Sequence, residues 1–123
     1  MEKNVEISLL FSFYGNLLTK RQADTVELYY NDDLSLAEVG AELGISRQGV
    51  RDNLKRAESV LYDVEGKLHL AARFLEIKER LAEIDSTIKE IEASPDADRL
   101  SVGLKKRINE ILAAVSAING MDD

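Results

Sequence analysis

The stretch Leu34–Leu61, LSLAEVGAELGISRQGVRDNLKRAESVL, decides the fold. It reads as two short helices joined by a tight turn, the helix-turn-helix unit. Ser35 is suited to cap the first helix, because its hydroxyl can accept from a free backbone N–H, and Glu38 three residues on completes a capping box. Leu36, Val39 and Leu43 fall on one face at helical spacing. Gly40 sits where the two helices would cross, its missing side chain letting the backbones approach. Gly44 is expected to stop the first helix in the left-handed conformation, which glycine adopts at little steric cost. Ile45 then plugs the turn into the core and Ser46 caps the second helix, whose apolar stripe is Val50, Leu54, Ala57 and Leu61.

The opposite face of that second helix carries Ser46, Arg47, Gln48, Arg51, Asp52, Lys55 and Arg56. A recognition helix inserts its first turns into the major groove. Arg, Gln and Ser can pair with base edges there, and Lys and Arg further along can meet phosphate. The candidate nucleic-acid-binding residues are therefore Ser46, Arg47, Gln48, Arg51, Lys55 and Arg56. The competing reading is a helical corner whose basic residues are merely solvated, since a fold does not by itself confer a function. Gly49 weighs mildly against an ideal helix, where glycine costs about 1 kcal/mol relative to alanine.

The 123 residues suffice for one modest domain, or a small domain with an appendage, and 45% hydrophobic with 32% charged content suits a soluble globular protein. There is no cysteine, so disulfides and thiolate metal sites are excluded. No apolar run is long enough to cross a bilayer. Near the N-terminus, Glu2 and Glu6 and the lack of a small-residue cleavage site do not match a secretory leader, and the expected location is the cytoplasm. The net charge of -7 opposes nucleic-acid binding, whose strength comes largely from neutralising phosphates. A local basic patch at Arg47, Arg51, Lys55 and Arg56 is flanked by acids at Asp32, Asp33, Glu38 and Glu42 before it and Glu58, Asp63 and Glu65 after it. Weak binding, supported by dimerisation or by a second protein, is the expectation.

Outward from this unit, Asn4 to about Leu18 should form a first helix with Asn4 as cap. Its apolar positions are Val5, Leu9, Phe13 and Leu17, with Leu10 and Tyr14 alongside and Phe11 on the far side, expected to be partly covered. Thr19 and Gln22 form a capping box for the next helix, in which Ala23, Val26, Tyr29 and Tyr30 read as core in preference to a base-stacking platform. Asn31, Asp32 and Asp33 make the turn into Ser35. The second helix of the unit ends at Gly66 or runs through it; a break or bend there is the favoured reading, and it divides the chain into a head, residues 1–66, and a helical hairpin, residues 67–123. In the hairpin, Leu70, Phe74, Ile77, Leu81, Ile84, Ile88 and Ile91 alternate steps of four and three, the seam of a coiled coil. Ser94, Pro95 and Asp96 break this helix, and Leu104, Ile108, Ile111, Val115 and Ile118 repeat the pattern in the last one, with Gly120 as its C-cap. The fold class is all-α, a helix-turn-helix head followed by a long antiparallel hairpin. A seam longer than the head can cover calls for a partner, so a homodimer through the hairpin is expected, unless the last helix folds back and covers the seam itself; the hairpin permits both at once.

From Leu18-Thr19 through Gln22 and Tyr29-Tyr30 to SLAEVGAELGISRQGVRDNLKRAE, the chain resembles region 4 of bacterial sigma factors. With the trailing YDVEGKLHL and the C-terminal hairpin it is more similar to the YlxM family of helix-turn-helix proteins. The resemblance is strongest over residues 18–70. It implies no catalytic residue, and it implies a regulatory role in the signal recognition particle pathway, inferred for such proteins from the neighbourhood of their genes. The partners implied are DNA, or RNA, and components of that particle. By analogy with sigma region 4, Arg47, Gln48 and Arg51 match positions that reach into the groove, and Ser46 matches a cap that also touches phosphate. Asn53 departs from that pattern, where an apolar residue is usual, and Leu54 takes its core role. The alternative function is an adaptor that binds no DNA and contacts RNA or protein components of the particle.

Other constellations carry less. His69 is the only histidine and is expected to pack beside Leu68 and Leu70. Asp32-Asp33 and Asp122-Asp123 lie in a turn and a tail, without the apolar surroundings that would separate two pKa values. Gly40, Gly44 and Gly49 are spread through the helical unit, not gathered into a phosphate loop. The pattern supports no enzyme, no metal and no cofactor.

Overall fold

The computed structural model describes residues 1–120. The Asp122-Asp123 pair lies outside them. Among the described residues the chain forms six α-helices and no strand: α1 (Lys3–Tyr14), α2 (Lys20–Val26), α3 (Leu36–Leu43), α4 (Arg47–Leu68), α5 (Leu70–Ala93) and α6 (Val102–Asn119). The protein is all-α, as its periodicities require. Its contacts group into a head, Met1–Ala72, and a second unit that begins at Arg73.

In the head, α1, α2 and α3 all pack on α4. Ile7, Leu10 and Tyr14 of α1 meet Val26, Tyr30, Val39 and the α4 stripe Val50, Leu54, Ala57 and Leu61 in one core. Burying each of the larger aliphatic side chains stabilises the head by about 1.5–3 kcal/mol. The Thr19–Gln22 capping box is formed, the Thr19 hydroxyl accepting from the Gln22 amide at 3.2 Å and the Gln22 carbonyl from the Thr19 amide at 3.0 Å. After Val26 the helix widens into a π turn over Glu27–Asn31, where the Asp32 amide donates to the Glu27 carbonyl at 2.9 Å. Tyr30 is buried there, Tyr29 half-buried against it edge-on with centroids 5.0 Å apart, so both rings serve the core. The Tyr30 hydroxyl donates to Glu58 on α4, whose carboxylate also meets Lys3 at 3.2 Å.

Two expectations are corrected in the head. The inward face of α1 is Ile7, Leu10 and Tyr14, while Val5 and Leu17 are exposed and Leu9 only partly covered. With apolar residues around most of its circumference, α1 has no face that spacing alone selects. The Tyr14 hydroxyl fits the inward orientation, in which it donates to Glu65 and accepts from the Leu70 amide. Nor does Asn4 cap α1: the helix starts at Lys3, and the preceding Glu2 makes no side-chain cap bond. Phe11 is partly covered against the core, as expected.

The end of α4 is also displaced. The helix runs through Gly66 to Leu68 and stops at His69, which takes the left-handed conformation with φ 57°. A glycine within a helix costs only about 1 kcal/mol. Helical continuation places Glu65 so that its carboxylate accepts from the Ala71 and Ala72 amides, both at 3.0 Å, and thereby caps α5. His69 is exposed, with Leu68 and Leu70 exposed beside it, so it serves as a backbone joint and not as a packed side chain.

The second unit is the hairpin of α5 and α6, joined by a tight 3-10 turn over Pro95–Arg99 that Ser94 caps. Its seam is split. On α5, Phe74 and Leu81 are half-buried and Ile88 buried, whereas Ile77, Ile84 and Ile91, equally seven residues apart, are exposed. On α6, Val115 is buried and Ile108 half-buried, whereas Leu104, Ile111 and Ile118 are exposed. Each helix thus uses one half of its heptad pattern within the hairpin and leaves the other half open.

Candidate nucleic-acid interface

The candidate interface is built by local chemistry. The Ser35 hydroxyl accepts from the Glu38 amide at 3.1 Å and the Glu38 carboxylate from the Ser35 amide at 3.0 Å, closing the capping box of α3. Donation from the Ser35 amide, with the Ser35 hydroxyl second, holds the Glu38 carboxyl below its ordinary pKa. At the other end Gly44 is left-handed, φ 70°. Gly40 is needed for the turn itself more than for a helix crossing. The Ile45 amide donates to the Gly40 carbonyl at 2.9 Å, and a Cβ on Gly40 would stand 2.6 Å from the Ile45 carbonyl oxygen. The turn is pressed against α3, and Ser46 follows as cap of α4, its hydroxyl accepting from the Gly49 amide at 3.0 Å.

From that cap, α4 presents its two faces as the spacing requires. Val50, Leu54, Ala57 and Leu61 are buried, and Leu54, not Asn53, fills the core position. Ser46, Arg47, Gln48, Arg51, Lys55 and Arg56 are all exposed. Arg47, Arg51 and Lys55 form one row at steps of four. The Gln48 amide nitrogen donates to Asp52 at 3.0 Å, which orients the Gln48 carbonyl and leaves its second N–H available.

The electrostatics of this face are unusual for a helix start. No acid stands in the first turn of α4, and Arg47 occupies it. A cation there opposes the helix dipole by about 0.3–1 kcal/mol, and like charges at steps of four repel by about 0.2–0.5 kcal/mol per pair. None of Arg47, Arg51, Lys55 and Arg56 is ion-paired among the described residues, although Lys3, Lys20 and Lys67 in the same head are paired with Glu58, Asp24 and Asp63. Arg21 on α2 apart, the head therefore keeps the positive charge that meets no carboxylate on one helix face, within an acidic chain. One head cation that the sequence did not single out is Arg21, whose guanidinium donates to the Leu43 carbonyl at 3.1 Å. That contact spans 22 positions, and no local pattern signals it.

This architecture and this face define a helix-turn-helix protein. The family described as "UPF0122: Putative helix-turn-helix protein, YlxM / p13 like" matches residues 1–99, and the chain belongs to it. A UPF0122 protein of Acetivibrio thermocellus is 44% identical over 115 residues, covering 91% of this chain and 98% of the relative. One from Desulforamulus reducens is 39% identical over 112 residues, 89% of this chain and 96% of the relative. One from Limosilactobacillus reuteri is 57% identical over 74 residues, 60% of this chain and 66% of the relative. Among the described residues no helix is long and apolar enough to cross a membrane.

Proposed function

We propose that the protein is a regulatory duplex-DNA binder that docks the N-terminal turns of α4 in the major groove. The observation that carries this reading is the uncompensated row Arg47, Arg51 and Lys55 with Arg56, exposed and set against the helix dipole. An incoming phosphate relieves both the dipole conflict and the mutual repulsion. Gln48 and Arg47 stand in the first turn, where base edges are reached, while Lys55 and Arg56 lie further along, where phosphates are met. The B-form major groove admits a helix and the deep, narrow groove of A-form RNA does not, which favours DNA over an RNA duplex. The role follows from the family resemblance: control exerted in or near the signal recognition particle pathway.

The protein acts as a homodimer in this reading. Ile77, Ile84 and Ile91 on α5 and Leu104, Ile111 and Ile118 on α6 continue two heptad rows that the hairpin itself leaves open, and a second copy offers the same spacing in return. Two heads on one duplex double the phosphate contacts, which suits a chain whose net charge of -7 weakens each head alone.

The test is a titration with random-sequence duplex DNA at low and at moderate salt. Retention at low salt that weakens steeply with added salt supports the reading. Absence of retention at low salt, where non-specific contacts survive, removes it.

A further inference from the structure

The cations of the head fall into two groups. Lys3, Lys20 and Lys67 each meet a carboxylate, at 3.2, 3.5 and 3.3 Å. Arg21, Arg47, Arg51, Lys55 and Arg56 meet none among the described residues, and four of these five lie on the proposed docking face of α4. The fifth, Arg21, comes from a different helix, α2, yet it is not left to wander over the surface. One N–H of its guanidinium is anchored on the carbonyl of Leu43, the last residue of α3. Leu43 immediately precedes the Gly44–Ile45 turn, and Ser46 after that turn caps α4. A single hydrogen bond thus fixes a positive charge beside the turn that aims the docking helix.

We propose that Arg21 is part of the DNA interface, gripping a backbone phosphate beside the groove that α4 enters; this rests on the duplex-binding reading above. A guanidinium carries five N–H donors in a planar fork, and the Leu43 carbonyl takes one. The others suit a phosphodiester, which arginine meets with paired hydrogen bonds. The carbonyl end of α3 is the negative end of its dipole, so the anchor holds the cation in place without neutralising it. Lys20, next in the chain, is different: its ammonium is already matched by Asp24 one turn on. Arg21 also has a purely architectural reading, as a clamp on the end of α3. The two readings differ in what they do to salt dependence, because only a phosphate contact releases a counterion.

The experiment is equilibrium binding of the full chain to random-sequence duplex DNA over a series of salt concentrations. Arg21→Gln keeps a polar side chain and removes the charge, and a thermal melt of the variant checks that the fold persists. The slope of log affinity against log salt should fall by about 0.9 in magnitude for Arg21→Gln, one phosphate contact. Arg21→Lys should keep the wild-type slope, and Lys20→Gln should leave it unchanged. A wild-type slope in Arg21→Gln overturns the role of Arg21 and leaves α4 as the interface. A slope equally reduced in Lys20→Gln overturns it as well, because the effect would then follow overall charge. No binding by the wild type at low salt removes the interface and Arg21 together.

Discussion

The Tyr14 hydroxyl of α1 donates to Glu65 at 2.6 Å, and the same oxygen accepts from the Leu70 amide at 3.1 Å. One phenol therefore ties the last turn of α4 to the first turn of α5. Tyr14 is buried, so Tyr14→Phe keeps the packing and removes only the polar contacts, leaving the Leu70 N–H and the Glu65 carboxylate each short of a partner. A hydrogen bond to a charged group contributes about 1.5–3 kcal/mol, and the variant should lose that much in urea unfolding with an unchanged m-value. An unaltered midpoint would show that the clasp is ornamental.

The same clasp sets a pH profile. Burial pushes the Glu65 carboxyl up, but donation from Tyr14 and from the Ala71 and Ala72 amides outweighs it and holds the group below its ordinary value of 4.5. A depressed carboxyl stabilises the fold above its unfolded pKa and loses that contribution as pH falls through the lower folded value. Stability should thus decline below about pH 4.5, and Glu65→Gln should flatten that limb in acid titrations followed by circular dichroism. Burial, then the bond to Glu65, raises the Tyr14 phenol above 10.0, so a second loss is expected on the alkaline side, beyond pH 10.

Two glycines of similar appearance should respond with opposite sign. A methyl at Gly40 meets the Ile45 carbonyl oxygen at 2.6 Å, a backbone atom that cannot swing aside. Gly40→Ala should destabilise by about 1–3 kcal/mol, the range of overpacking. Gly66 is helical with open space around it, and Gly66→Ala should stabilise by about 0.5–1 kcal/mol. Thermal melts of the pair decide this; a destabilised Gly66→Ala would contradict the continuous helix.

Arg47 should show a trade between stability and binding. Arg47→Glu puts an acid at the first turn of α4, where the dipole favours it, and separates the like charges. The melting temperature should rise, by about 0.3–1 kcal/mol in free energy, while duplex affinity falls. If both decline together, Arg47 is a structural residue and the docking face is wrongly drawn.

On the homodimer proposed above, the split seam separates folding from association. Ile84 is 43% exposed and Ile88 8% exposed on the same helix. Ile84→Lys should leave helix content intact and shift sedimentation from dimer to monomer. Ile88→Ala should instead loosen the hairpin by about 2–5 kcal/mol. Identical sedimentation of Ile84→Lys and wild type would remove the homodimer.

The helix-turn-helix was legible because its signals are local. Ser35, Glu38, Gly44 and Ser46 each act within four residues, and the sequence prints both partners side by side. The stripe Val50, Leu54, Ala57 and Leu61 was equally plain, since α4 is polar on its other side. The inward face of α1 was not, because apolar side chains surround that helix and the choice rests on Tyr14 finding Glu65, 51 positions away. The end of α4 is not fixed by sequence for a similar reason: Gly66 is the residue type that usually takes the left-handed conformation, whereas here His69 takes that role and Glu65 supplies the cap. On the candidate interface, residue types and exposure of Arg47, Gln48, Arg51, Lys55 and Arg56 followed from periodicity. Arg21 did not, as its neighbour Leu43 is distant in sequence.

A single residue, His69, separates the helix that bears the arginines from the one that follows. An added residue there would carry the Ala71 and Ala72 amides away from the Glu65 carboxylate that caps them. Length at this point is therefore a geometric setting of the head, far less tolerant of insertion than the open loops where proteins ordinarily accept change.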